Sequence, residues 1–396
     1  MNKRILFLTI MTFLFISIII PRAYCQQHET GENWNSENEN IIRAKVLNVE
    51  SKTETELPTG AMDKEKNQLI TVKLLSGQFS GKILEIPHVI MDQPGYDIVI
   101  NPGDEVIVYI ASEGSSIKSA YISDYARDKK LLYLTVGFVC LLTLLGGKKG
   151  VKSIFSLAII GAVIYLILLP LILQGYNPII VNVLISAAVT AVTLITLGGI
   201  SAKTFSAIIG TTGGVLIAGI LAFTVGTAAH LTGFSDEEMH MLLYSSQNIT
   251  FDYHGILFSG MIIGALGAVM DVGVSIASAV EEIKKANPLL RTGSLIRAGM
   301  SIGRDIMGTM ADTLILAYTG SSMPLMLVFM AYDTPFLKVI NLDLIATEIV
   351  RSLAGSIGLI IAVPITAITA GILFGSTRIQ PKRPYDFRAK GNPFNF

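Results

Sequence analysis

Two hydrophobic periods divide this chain. Between Ile41 and about Asp128 the apolar residues come in short runs, IIRAKVLNV, QLITVKLL, KILEIPHVI and DEVIVYIA, with the alternation of half-buried strands. Turn residues punctuate them: Pro58-Thr59-Gly60, Ser76-Gly77, Ser80-Gly81 and Asn101-Pro102-Gly103-Asp104. Four or five such strands predict a small all-β domain, a Greek-key barrel of the OB-like kind. After Lys129-Lys130 the runs lengthen to what a bilayer requires. Seven spans are predicted: Leu131–Leu145, Val151–Leu173, Pro178–Leu197, Phe205–His230, Gly255–Ala279, Ile306–Tyr332 and Leu353–Phe374. Thr319 to Pro324 reads as a break in the sixth. The expected fold is therefore a mainly α membrane protein, a bundle of about seven transmembrane helices preceded by a small exported all-β domain.

The first 25 residues carry a third pattern. Lys3 and Arg4 precede an apolar core from Ile5 to Ile20, Pro21 breaks it, and Ala23-Tyr24-Cys25 offers small-residue cleavage. A cleaved signal peptide and a retained N-terminal anchor both fit. Residues 26–40 are polar and read as a disordered linker. The expected organisation is 1–25 signal or anchor, 26–40 linker, 41–128 extracytoplasmic β domain, 129–375 transmembrane domain and 376–396 cytoplasmic tail.

Composition supports the membrane class. Of 396 residues 51% are hydrophobic and 15% charged, against about 25% charged in ordinary soluble domains. Formal net charge is zero, and there is neither a basic stripe nor an aromatic stacking set, so nucleic acid is excluded as a partner. The two cysteines, Cys25 and Cys140, form no disulfide or metal framework. Basic residues gather in alternate connectors: Lys148, Lys149 and Lys152; Lys203; Lys284, Lys285, Arg291, Arg297 and Arg304; then the tail. The charge bias places these in the cytoplasm and the β domain outside, in a multi-pass cell-membrane protein.

Carboxylates inside apolar runs are the candidate chemistry, because each costs several kcal/mol in hydrocarbon. Asp271 lies in the fifth span, past the midplane, where a carboxylate should face the bundle or a water-filled cavity. Asp305, Thr309 and Asp312 share one face of the sixth span at i, i+4 and i+7. Asp271 and Asp312 would lie at similar depth, sharing a dry site, with Thr309 and Thr313 as hydrogen-bond donors. Asp305 reads as interfacial, pairing with Arg304 or capping the helix start. Proton or cation coupling and plain helix fixing both fit these carboxylates. Gly260, Gly264, Gly267 and Gly273, with Gly308, read as helix-packing positions. The connector Glu281 to Gly303 reads as an amphipathic helix lying on the inner surface.

The loop after the fourth span holds His230, Asp236, Glu237, Glu238, His240, Asp252 and His254, at no tight ligand spacing, so no metal is expected. Asn248-Ile249-Thr250 is a glycosylation sequon by pattern only. No nucleophile elbow, HExxH or Walker motif is present. The chain reads as a non-enzyme without a cofactor.

The motifs GAVMDVGVSIASAVEEI and GRDIMGTMADTLILAYTG, behind an exported β domain, resemble the YibE/F-like family of membrane proteins, over about Ile41 to Gly375. A more local resemblance, over about 60 residues, is to the central helix pair of SecD/SecF export proteins and of resistance-nodulation-division transporters. It implies a proton-coupling role for Asp271, with Thr309 or Asp312 nearby. Drug efflux is not implied, since an intramembrane lysine and a large porter domain are lacking. The expected function is a transporter or export-related protein with proton or cation coupling through Asp271 and Asp312. The alternative is a non-transporting scaffold or envelope-biogenesis factor whose β domain binds a partner. Expected partners are the lipid bilayer and a small solute, ion or envelope protein, with an oligomer allowed.

Overall fold

Alternating apolar residues build the first part of the chain. The computed structural model describes residues 38–52, 66–90, 97–113, 116–235, 237–245 and 251–376. The expected signal or anchor, nearly all of the linker, the tail, Asp236 and the sequon lie outside them. Five antiparallel strands, β1 (Asn38–Lys52), β2 (Lys66–Leu74), β3 (Ile83–Ile90), β4 (Glu105–Glu113) and β5 (Ser116–Tyr125), form one sheet in the order β3-β2-β1-β4-β5. The long β1 pairs with β2 along its second half and with β4 along its first. β3 and β5 approach each other, so the sheet nearly closes into the expected barrel. Ile42, Ala44, Val46, Ile70, Val72, Leu74, Val106, Val108 and Ile110 fill it, each at 2% exposure or less. Their spacing of two is the inward half of the alternation. Arg43 ties β1 to Glu105 at 3.1 Å, and Glu105 also accepts from Lys129 at 2.8 Å. These charges hold the Glu105 carboxyl below its ordinary range, Lys129 contributing most.

The helices begin at Asp128. α1 (Asp128–Val163) continues through a π-helical turn, Ile164–Leu168, to Leu173. It is interrupted at Gly147, whose φ of 52° and ψ of −133° are not helical. The interruption separates the first two expected spans. The sheet and the helix up to Leu144 form one compact unit, and the chain from Leu145 onward forms the other. There follow α2 (Pro178–Gly198), α3 (Ala202–Ala228), α4 (Glu237–Ser245), α5 (Tyr253–Ala286), α6 (Thr292–Ser321), α7 (Met323–Ala331), α8 (Phe336–Ile340) and α9 (Asp343–Ser376). Among the described residues five continuous helical segments are long and apolar enough to cross a membrane, six if α6 and α7 are one span bent by 57°. The bend falls at Ser322 with Pro324 just after it, as the sequence suggests. These helices make the chain a multi-pass membrane protein.

The core lies where α3, α5, α6 and α9 meet, around Val215, Ile262, Val269, Val272, Ile276, Val280, Leu359 and Val363. Small residues let these helices close. A Cβ at Gly214 would sit 2.6 Å from the Gly358 carbonyl oxygen of α9 and 2.8 Å from Val269 of α5. Lys203 of α3 pairs with Glu281 of α5 at 3.8 Å, and Gly375 of α9 abuts Thr292 of α6. The α2–α3 turn, the α5–α6 connector and the end of α9 therefore share one end of the bundle, which is its basic end. Lys284 is 3% exposed there and donates to the Leu290 carbonyl at 3.0 Å, closing the connector.

The connector itself corrects an expectation. No separate surface helix lies between the fifth and sixth spans. Only Asn287 to Arg291 are non-helical, and α6 starts at Thr292, about four turns before the expected Ile306. Leu295, Gly299 and Gly303 recur every four residues and are buried against α5 and α9. Apolar run length misses such a start, because Arg297 and Arg304 interrupt the run on the other side of the helix.

Candidate functional site

α5 and α6 carry the three candidate coupling aspartates, Asp271, Asp305 and Asp312. α5 buries Val269, Val272, Ile276 and Val280 against its neighbours. The stripe left uncovered is Gly260, Gly264, Gly267, Asp271 and Ser275, at helical spacing. α6 turns Leu295, Gly299 and Gly303 inward and leaves Arg304, Asp305, Gly308, Thr309, Asp312 and Thr313 on the outside.

Three close approaches register the two antiparallel helices. A Cβ at Gly299 would meet Val280 at 3.0 Å, one at Gly303 would meet Ile276 at 3.2 Å, and one at Gly264 would abut the Tyr318 hydroxyl. Counting along from these, Asp271 is level with Gly308, and Asp312 lies about one turn, ~6 Å, further along, close to the level of Gly267. Each carboxylate is thus level with a glycine of the other helix, and both glycines have open space at the Cβ position. Asp271 is the nineteenth of the 34 residues of α5, close to its middle.

Several expectations change. The two aspartates come to similar depth, but they face out of the chain and not into the bundle or an enclosed cavity. The inner faces of α5 and α6 are taken up by the apolar core, which leaves the carboxylates only the outer surface. Thr309 and Thr313 donate to the Ile306 and Met310 carbonyls of their own helix, at 2.9 and 2.8 Å, and not to the aspartates. Asp305 is not a helix cap. It sits thirteen residues, ~20 Å, into α6, level with about Val274 of α5. Of the glycines, Gly273 packs against Thr211 and Ala207 of α3, and Gly264 lies under Tyr318. Gly260, Gly267 and Gly308 have no neighbour within 4 Å of a Cβ position, so among the described residues they pack against nothing.

A second polar feature escapes the sequence reading. On α2, Asn182, Ser186, Thr190 and Thr193 recur at near-helical spacing and all are buried. Asn182 donates to the Ser259 carbonyl of α5 at 2.6 Å, Ser186 donates to the Asn182 side-chain oxygen at 3.3 Å, and Thr190 donates to the Ser186 carbonyl at 2.7 Å. A cavity of about 10 Å³ beside Ser186, Thr190 and Thr212 has room for about one water. The signal was four polar residues on one face of an otherwise apolar span.

Among the described residues no group of three or more His, Cys, Asp or Glu is placed to hold a metal. Asp252 instead caps α5, accepting from the Gly255 amide at 2.8 Å. Residues 134–376 match the family described as YibE/F-like protein, and residues 38–125 match the YibE/F family N-terminal domain. No curated protein and no solved structure matches the chain.

Proposed function

Given that the chain belongs to the YibE/F-like family, we propose that it is a transporter or export-related membrane protein coupled to protons or cations through Asp271 and Asp312. One observation supports this reading. Two carboxylates sit about a turn apart in depth along two neighbouring helices, on the outer face, each level with a glycine that leaves space beside it. A charge taken out of water is tolerated only when neutralised or paired. A carboxylate in this position therefore binds a proton or cation before it meets hydrocarbon, and gives it up where water reaches it. In this reading the basic end of the bundle faces the cytoplasm, as the bias of lysine and arginine requires, and the β domain is extracytoplasmic. No bond is made or broken, so the protein is not an enzyme.

The test is proton flux in proteoliposomes under an imposed pH or cation gradient. Asp271→Asn and Asp312→Asn should each lower a gradient-driven flux by at least about tenfold, the usual cost of removing an essential proton carrier. Wild-type flux in both folded variants would sink the coupling. The second reading, a scaffold or envelope-biogenesis factor, is favoured by the β domain's surface. There Ile41, Ile83, Val99 and Tyr121 are each more than half exposed, which suits a partner protein. Absence of flux in the wild type under every gradient would favour it.

A further inference from the structure

The first half of α6 exposes a row of hydrogen-bond donors. Arg297 and Arg304 are two turns apart, ~10 Å along one stripe, and the Ser301 hydroxyl lies between them. All three are exposed, and among the described residues none makes an ion pair or a side-chain hydrogen bond. The acids at this end of the bundle are engaged elsewhere. Lys285 pairs with Glu282 at 2.8 Å and with Glu281 at 3.1 Å, and Lys203 pairs with Glu281 at 3.8 Å. Asp305 directly follows Arg304, and consecutive residues of a helix do not face each other. The stripe therefore offers two guanidinium forks and a hydroxyl to an anion that the described chain does not supply.

We propose that Arg297, Ser301 and Arg304 hold the headgroup phosphate of an anionic phospholipid. The argument is complementarity of charge and of hydrogen bonding. Guanidinium forks match the paired oxygens of a phosphate, and a hydroxyl between them donates to a further oxygen. The surroundings favour a lipid over a soluble phosphate. Gly371 of α9 abuts Ile296, and Gly303 abuts Val363 of α9, so α9 runs alongside this part of α6. There it exposes Ile360, Ile368 and Ile372, at 39, 45 and 52%, at about the same levels as the donors. Only an amphiphile brings a phosphate and hydrocarbon to one place. A zwitterionic headgroup carries its own ammonium to balance its phosphate, so two arginines select a lipid of net negative charge. The site stands independently of the coupling reading, because it involves neither Asp271 nor Asp312 and is measured without flux.

Lipid titration of the purified full chain in detergent tests it, with bound lipid counted by native mass spectrometry. The probes are phosphatidylglycerol and phosphatidylcholine with the same acyl chains. The wild type should bind phosphatidylglycerol at least about tenfold more tightly, as two arginines facing one net negative charge predict. Arg297→Gln combined with Arg304→Gln should abolish that preference, with helix content unchanged by circular dichroism. Lys148→Gln combined with Lys149→Gln removes the same charge elsewhere and should leave the preference in place. Inorganic phosphate in large excess should not displace the lipid. Equal binding of the two lipids by the wild type, or a preference that survives in the folded arginine variant, would overturn the proposal. So would an equal loss in the lysine variant, which shows general charge attraction only, or displacement by inorganic phosphate, which shows a soluble anion. A wild-type dimer lost in the arginine variant would assign the stripe to a second copy and overturn it as well.

Discussion

Gly214 lies where three helices meet, and a single methyl group measures how tight that contact is. A Cβ there would stand 2.6 Å from the Gly358 carbonyl oxygen, 2.8 Å from Ala362 and 2.8 Å from Val269. Two of those neighbours are on α9 and one is on α5, so no single side-chain rotation relieves all three. Ordinary contact begins near 3.4 Å, and the helices must therefore part by about 0.6–0.8 Å. Overpacking of this size costs about 1–3 kcal/mol. Alanine returns up to ~1 kcal/mol of helix propensity. The expected net for Gly214→Ala is a loss of ~1–2 kcal/mol, read as a lower SDS midpoint in mixed-micelle unfolding of the full chain. Gly161→Ala on α1, with nothing within 4 Å, should be neutral or slightly stabilising in the same assay. A Cβ at Gly358 would lie 2.7 Å from the Gly214 carbonyl oxygen. The double alanine variant should therefore cost less than the two singles added together, because one separation serves both. Unchanged stability in Gly214→Ala would refute the close crossing of α3 and α9.

The buried ladder on α2 separates satisfied from unsatisfied hydroxyls. Asn182→Leu, which removes the bond to the Ser259 carbonyl, should cost ~1 kcal/mol or more in the unfolding assay. Thr193→Val should be neutral or stabilising, since its buried hydroxyl has no partner. Asp252→Ala should cost ~1 kcal/mol through loss of the α5 cap, and hydrogen exchange should rise in the first turn of α5. Glu105, held low by Lys129 and Arg43, contributes stability that is present above the ordinary carboxylate range and is lost as pH falls through the lowered value. Exchange protection of β1 and β4 in the full chain should therefore fall on acidification, and Glu105→Gln should flatten that dependence.

The β domain was legible because its period of two is nearly unbroken. Ile42, Ala44 and Val46, and Val106, Val108 and Ile110, point inward as the alternation says they should. Most spans were legible from length alone. The start of α6 was not, because its first turns are amphipathic. Its inner face is Leu295, Gly299 and Gly303, and its outer face holds Arg304, Asp305 and Asp312. A hydropathy window averages the two faces, whereas a four-residue count of small and apolar positions would have found the start at Thr292. The aspartates were easy to pick out, being charges in apolar runs. Their direction was not, since a lone charge tells nothing of which neighbours occupy the other faces of its helix. Gly260, Gly264, Gly267 and Gly273 read as one stripe. Only the structure shows that Gly273 turns toward α3 while Gly260 and Gly267 stay uncovered.

Among the described helices α9 is the last to be synthesised, yet it packs along α3, α5 and α6. Until it enters the membrane, Gly210 and Gly214 of α3, and Gly299 and Gly303 of α6, lack the α9 residues that they close upon. The earlier helices must wait in the bilayer as a loose set, held by the insertion machinery or by one another. Ribosomes that stall before Asp343 would release a chain whose α3, α5 and α6 lack their common neighbour, a natural target for membrane quality-control proteases. Completion of α9 is thus the step at which biosynthesis brings the core of the bundle together.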